Sequence, residues 1–278
     1  MALPDTPRPT FVIIGAQRCA TRWLRFNLDQ HPDVFVPTVP LDYFAPGVPP
    51  FEGPPFGDAR RTTQTSARWY GLQFVAAEDV ACVGDWSPTY LAAVNHPGSV
   101  AIRMDETLPD VRLVAVVRQP VDRLRSAVAR AVQTGLLAPG TDLVELVEGG
   151  DPRVDALDLV AGGRYARTLH PFVKRFGDRL LVLRHDEVVR DPGGAYESVL
   201  RHIGADPDFR PDGLERPRFT TRGLDELVPL DDADRRRLYR LFRSDVEELE
   251  ALLDWDLSAW DPGPAPDPGP AGVSAAAS

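Results

Sequence analysis

The apolar positions of the chain follow two different periods. Phe11, Val12, Ile13 and Ile14 form a short continuous apolar run, and Val111 to Val117 (VRLVAVV) forms a second, stronger one. Runs of this length, rich in β-branched residues and interrupted only by Arg112, predict strands covered on both faces. Arg179 to Leu183 predicts a third buried strand and Val80 to Val83 a shorter one. Between these runs the spacing becomes helical. Thr21, Trp23, Leu24, Phe26 and Leu28 predict a helix reaching about Gln30, after which HPDVFVP reads as a connection and an extended segment. Helices are also predicted over Ser66 to Ala77, around Gly98 to Glu106, from Pro120 onward, over Pro192 to Ile203 and within Asp232 to Leu253. Gly163 to Phe176 is amphipathic, with Leu169, Phe172, Val173 and Phe176 on one face, and Pro171 is expected to kink or split it. Strands alternating with helices predict an α/β fold: a mostly parallel sheet, helices on both faces, and ligands at the carboxyl ends of the strands.

The remaining segments are polar. Residues 1–10 are a proline-containing lead-in, and residues 45–66 hold five prolines and three glycines, too many for a regular element. That stretch is expected to be a surface loop. Residues 136–160 are turn-rich, with room for one short helix. From Pro262 the chain is almost entirely Pro, Gly, Ala and Ser, a composition expected to be disordered, which leaves residues 1–261 as one domain. The net charge of −10 opposes general affinity for nucleic acid, so any anion site has to be a local positive pocket on an acidic body. Two cysteines, Cys19 and Cys82, indicate no disulfide framework. MALPDTPRPT lacks the apolar core of a signal peptide and no stretch is suited to span a bilayer, so a cytoplasmic location away from membranes is expected. There is no internal repeat, and nothing in the pattern specifies an oligomeric state.

Two basic segments carry the candidate chemistry. The first is GAQRCATRWL, Gly15 to Leu24, between a predicted strand and a predicted helix. A polar loop there aims several backbone N–H groups at one spot, where the positive end of the helix dipole favours an anion. Arg18 and Arg22 add charge, and Thr21 adds a hydroxyl donor. The loop reads as a phosphate cradle, the alternative being an ordinary turn with solvated arginines. It lacks the full glycine, lysine and serine/threonine pattern of nucleoside-triphosphate loops. The second segment is RQPVDRLRS, residues 118–126, in which Arg118 ends a strand and Ser126 lies two turns along a helix. An arginine fork with a serine hydroxyl can hold a phosphate. Alternatively, Arg118, Arg123 and Arg125 are solvated or paired with Asp122.

Taken together, and over most of residues 10–260, these segments resemble the sulfotransferases that use 3′-phosphoadenosine 5′-phosphosulfate (PAPS). The likeness is greatest to the bacterial relatives of heparan sulfate sulfotransferase domains. The first loop corresponds to that family's GxxKxGTxxL, and the second segment to its RxPxxRxxSxY. HPDVFVP, SPTYL, LPDVRLVAVVR and DLSAW are also family-like. The resemblance implies a P-loop-like three-layer α/β/α fold with PAPS as donor and no metal. It places Gly15, Gln17, Arg18, Cys19, Ala20, Thr21 and Arg22 around the 5′-phosphosulfate and Arg118 and Ser126 on the 3′-phosphate. RFTTRGLDEL offers Arg222 and Gly223 for a loop closing over the adenosine, a plain surface loop being the alternative.

The departures from the family bear on the chemistry. Arg18 stands where the family has a lysine, and Ala20 where it has a glycine, a narrowing if that position needs positive φ. In VPLDYF, Pro40 falls at the place of a glutamate base, and Asp42, two residues on, would share its face in a strand. In DWSPTY, Trp86 sits where a catalytic lysine can occur. Asp42 is the first candidate base, Asp85 the second and His96 a third, while His31 and His170 near helix ends, Glu187 and Cys19 read as structural. Three functions compete. The leading one is sulfuryl transfer to a hydroxyl of a small molecule or saccharide, with Arg18 stabilising the leaving phosphate. The second is a small-molecule kinase, and the third a catalytically impaired nucleotide binder. Phe44, Phe51 and Phe56, with the acidic net charge, favour an apolar or aromatic acceptor over a polyanion, consistent with a tailoring role in secondary metabolism.

Overall fold

The computed structural model describes residues 6–45, 66–77, 79–92, 96–216 and 223–264. The expected loop tip with Phe51 and Phe56, the position of Arg222 and the tail beyond 264 lie outside these residues. Five strands form one sheet: β1 (Phe11–Gly15), β2 (Val34–Phe35), β3 (Cys82–Trp86), β4 (Arg112–Val117) and β5 (Leu180–Arg184). Their order is β2-β3-β1-β4-β5, and every pairing is parallel. β1 is therefore central, with its neighbours reached by crossovers to opposite sides, which is where a parallel sheet opens a crevice at its carboxyl ends. Phe11 to Ile14 and Leu113 to Val117 are essentially without solvent exposure, as their unbroken apolar runs require.

The helices that position the crevice are α1 (Thr21–Leu28), α2 (Ala67–Leu72), α3 (Pro97–Thr107), α4 (Pro120–Gln133), α5 (Leu143–Glu148), α6 (Arg153–Ala156) and α7 (Tyr165–Phe176). Beyond β5 come α8 (His185–Arg190), α9 (Pro192–Ile203), α10 (Leu224–Leu227), α11 (Asp232–Tyr239) and α12 (Arg243–Leu253). α7 continues through Pro171 as one helix, so the expected split does not occur. Asp245 of α12 accepts from the N–H groups of Ala166 and Arg167, capping the start of α7.

Three strand expectations change. β5 is half-buried along its length, because it is an edge strand with a single neighbour. β3 begins later than the apolar run suggests and takes in Gly84, Asp85 and Trp86. Gly84 makes this possible: a Cβ there would lie 2.3 Å from the Phe11 ring on the adjacent strand. Asp42 is not in a strand but in a left-handed turn at φ 51°, so it does not inherit the facing of Pro40.

Candidate active site

The loop after β1 is held from below. The Ala16 N–H donates to Val116 O at 2.9 Å, and the Ser87 N–H donates to Ile13 O at 3.0 Å. Gly15 has φ +145°, and a Cβ there would meet Pro88 O at 3.0 Å, so the position excludes side chains. Arg18 and Ala20 both have positive φ, 68° and 64°, alternating with residues of negative φ. This alternation turns successive N–H groups toward one concavity, an anion nest. It continues into α1, whose first residues receive no side-chain cap from Ala20. The donor groups at the helix start are thus turned toward the crevice.

The two basic segments, 108 residues apart in sequence, meet at this loop. Arg18 Nε donates to Ser126 Oγ at 3.1 Å, and an Arg118 guanidinium N–H donates to Arg18 O at 3.5 Å. Gln17, Cys19, Thr21 and Arg22 surround the same turn. Cys19 is fully buried, with Sγ 3.6 Å from the Tyr165 hydroxyl. Burial pushes its thiol up, so it serves as packing. The Tyr165 hydroxyl also accepts from the Arg118 N–H at 3.4 Å, tying α7 to both segments.

Arg123 and Arg125 are not solvated and do not pair with Asp122. Arg123 is 1 % exposed and donates to Asp158 O, Leu159 O and Gln17 O, bracing the loop from beneath. Gly162 is required beside it, since a Cβ would fall 2.4 Å from its guanidinium. Arg125 donates to Val228 O and to Asp225, anchoring α10 against α4. Asp122 pairs instead with Arg235 at 2.7 Å. The sequence marks these arginines as a cluster but not which of them turn inward. Gly223 precedes α10 at φ 62°, so this anchored helix starts right after it.

Across β1 lies an acidic and phenolic cluster. Asp85 is wholly buried, and its Oδ2 accepts from the hydroxyls of Tyr70 at 2.9 Å and Tyr90 at 2.8 Å. Its Oδ1 has no hydrogen-bond partner among the described residues. Burial, outweighing the two phenol bonds, pushes its carboxyl up to about 7. Desolvation and the nearby Asp85 carboxylate hold both tyrosines well above the usual phenol range. Asp42 is placed by the SPT segment: its N–H donates to Ser87 Oγ, and Thr89 Oγ1 donates to its Oδ1 at 2.5 Å. Arg103 fixes the next turn through Tyr43 O and Phe44 O, and Tyr43 stacks on Tyr70 at 4.0 Å.

Trp86 is buried and donates its indole N–H to Pro37 O, so this position supplies packing and no charge. His96 is exposed at the start of α3, whereas His31 is buried and bonded to backbone at Asp33 and Asp206. His170 is exposed, and Glu187 lies near Arg184 and Arg190 on α8. Sequence reasoning missed Ser87, Thr89, Tyr70 and Tyr165. Only the compact SPTYL string hinted at the first two.

Among the described residues no helix is long and apolar enough to cross a membrane, and no group of His, Cys, Asp or Glu is arranged to hold a metal. A sulfotransferase family model matches residues 9–209. Human heparan sulfate glucosamine 3-O-sulfotransferase 6 is 26 % identical over 197 residues, 70 % of this chain and 52 % of that protein. The chain thus spans about half the length of that curated relative. A solved sulfotransferase from Alicyclobacillus acidocaldarius is 28 % identical, covers 92 % of this chain and 99 % of its own, and has a TM-score of 0.77. The sulfotransferase domain of a Synechococcus olefin synthase shares the fold, with 17 % identity, 91 % and 98 % coverage and a TM-score of 0.50.

Proposed function

The chain belongs to the sulfotransferase family, and from that premise we propose that it moves a sulfuryl group from PAPS to a hydroxyl of a small molecule or saccharide. The observation that carries this reading is the Arg18–Ser126 contact, which brings two distant basic segments to one anion nest. A doubly phosphorylated nucleotide fits that arrangement. The nest after β1, with Arg18 and Arg22, would hold the 5′-phosphosulfate, and Arg118 with Ser126 the 3′-phosphate. The left-handed residues and the uncapped start of α1 supply the N–H groups such a ligand needs.

In the reaction, the acceptor oxygen forms a bond to sulfur as the bond from sulfur to the 5′-phosphate oxygen breaks. Arg18 and the loop N–H groups stabilise charge on that departing oxygen, a role met by fixed donors without a metal. Arginine stays protonated throughout, so it acts as an electrostatic clamp. The acceptor's proton goes to a carboxylate. Asp42, positioned by Ser87 and Thr89, is the first candidate. Asp85, with its carboxyl near 7, is the second.

One observation favours a second reading, a nucleotide binder without transfer activity: the buried indole of Trp86 occupies the place of a lysine in the resembling family. Calorimetry with adenosine 3′,5′-bisphosphate against ATP with Mg²⁺, followed by sulfate transfer to a panel of hydroxyl acceptors, tests both. Binding of the bisphosphate with transfer abolished in Arg18→Ala and Asp42→Asn is expected. Binding without transfer to any acceptor supports the second reading, and no binding overturns both.

A further inference from the structure

The carboxyl ends of the sheet present one more group that the mechanism above does not use. Val117 of β4 pairs in register with Arg184 of β5. Arg118 and His185 therefore leave adjacent parallel strands side by side. His185 is half-buried, and its ring makes no hydrogen bond among the described residues. The charged groups within electrostatic reach of it are Arg118 after β4, Asp122 in the first turn of α4 and Asp186 from its own helix. Asp122 is engaged by Arg235, and Asp186 by Arg184. The imidazole is thus left beside the cation of Arg118 with no hydrogen-bonded acid of its own.

Desolvation first, and then Arg118, push its ionisation down to about 4, so the ring is neutral in the empty protein at pH 7. A phosphate seated on Arg118 shifts that balance, because its two negative charges arrive beside the cation of Arg118. We infer that His185, set beside Arg118 by the register of β4 and β5, is a further contact to the 3′-phosphate of the donor and binds a proton from solvent when the phosphate is seated. The proposal rests on the donor reading above and assigns a residue to it. It makes donor binding proton-linked: bisphosphate affinity rises as pH falls through the range where the bound ring holds its proton and the empty ring does not.

The test is a pH titration of the histidine ring signals by NMR, without ligand and with saturating adenosine 3′,5′-bisphosphate. The chain has five histidines, so the His185 signal is identified by its absence from His185→Asn, or by substituting the other four in turn. The expected result is a midpoint moving from about 4 to about 6 or above. Calorimetry at pH 6.5 in buffers of different ionisation enthalpy is expected to show greater proton uptake on binding in the wild type than in His185→Gln. Binding that leaves the His185 midpoint below 5 and the proton count equal in the two proteins overturns the inference while leaving the donor reading intact. No heat and no ring shifts with the bisphosphate overturns the donor reading itself.

Discussion

Replacing Asp85 by Asn isolates the energetic cost of the acidic cluster. The carboxyl is wholly buried and its ionisation is raised to about 7, against about 3.9 in an unfolded chain. Between those values the folded state holds a proton that the unfolded state has released. Stability conferred by the neutral acid is therefore complete below pH 4 and is lost as pH rises through 7. Three pH units at about 1.4 kcal/mol each give a loss of about 4 kcal/mol. Asparagine keeps one oxygen for the Tyr70 and Tyr90 hydroxyls, and its amide replaces the oxygen that has no partner among the described residues. A buried amide without an acceptor costs about 1–3 kcal/mol, independent of pH. Urea unfolding of both proteins at pH 5 and pH 8 then reads the difference directly. The wild type is expected to lose about 3 kcal/mol more than Asp85→Asn between those pH values. At pH 8 the variant is expected to equal or exceed the wild type. Parallel pH dependence in the two proteins would refute the reasoning, because all other titrating groups cancel in the comparison.

Arg118→Ala is expected to weaken adenosine 3′,5′-bisphosphate about 10- to 100-fold by calorimetry, the loss of charge-assisted hydrogen bonds worth about 1.5–3 kcal/mol. Arg118→Lys should recover only part of this, since one ammonium cannot replace a two-pronged guanidinium. Ala20→Gly removes a left-handed cost of about 1–2 kcal/mol at φ 64° and returns about 0.5–1 kcal/mol of chain entropy. A melting temperature raised by about 1–3 °C is expected in scanning calorimetry, and a drop would mean that the loop does not need that conformation.

Local sequence carries the parallel sheet and most helices, because continuous apolar runs and 3.6-residue periodicity are local consequences of burial. β1, β4 and α9 fall where periodicity puts them. The sequence leaves open whether Ala20 needs positive φ, and the structure gives it φ 64°. What local pattern does not carry is which side chain turns inward. Arg118, Arg123 and Arg125 have the same chemistry within eight residues, yet one reaches the Arg18 carbonyl, one braces the loop from beneath and one anchors α10. That choice depends on Gln17, Leu159 and Val228, which only folding brings near. The same holds for Asp85, whose strand placement needs Gly84 beneath Phe11 and whose raised ionisation needs the walls of a complete core. Sequence determined the chemistry available at the sheet's edge. Tertiary structure decided the electrostatic surroundings of each group, because desolvation is a property of the surrounding volume and not of neighbours along the chain.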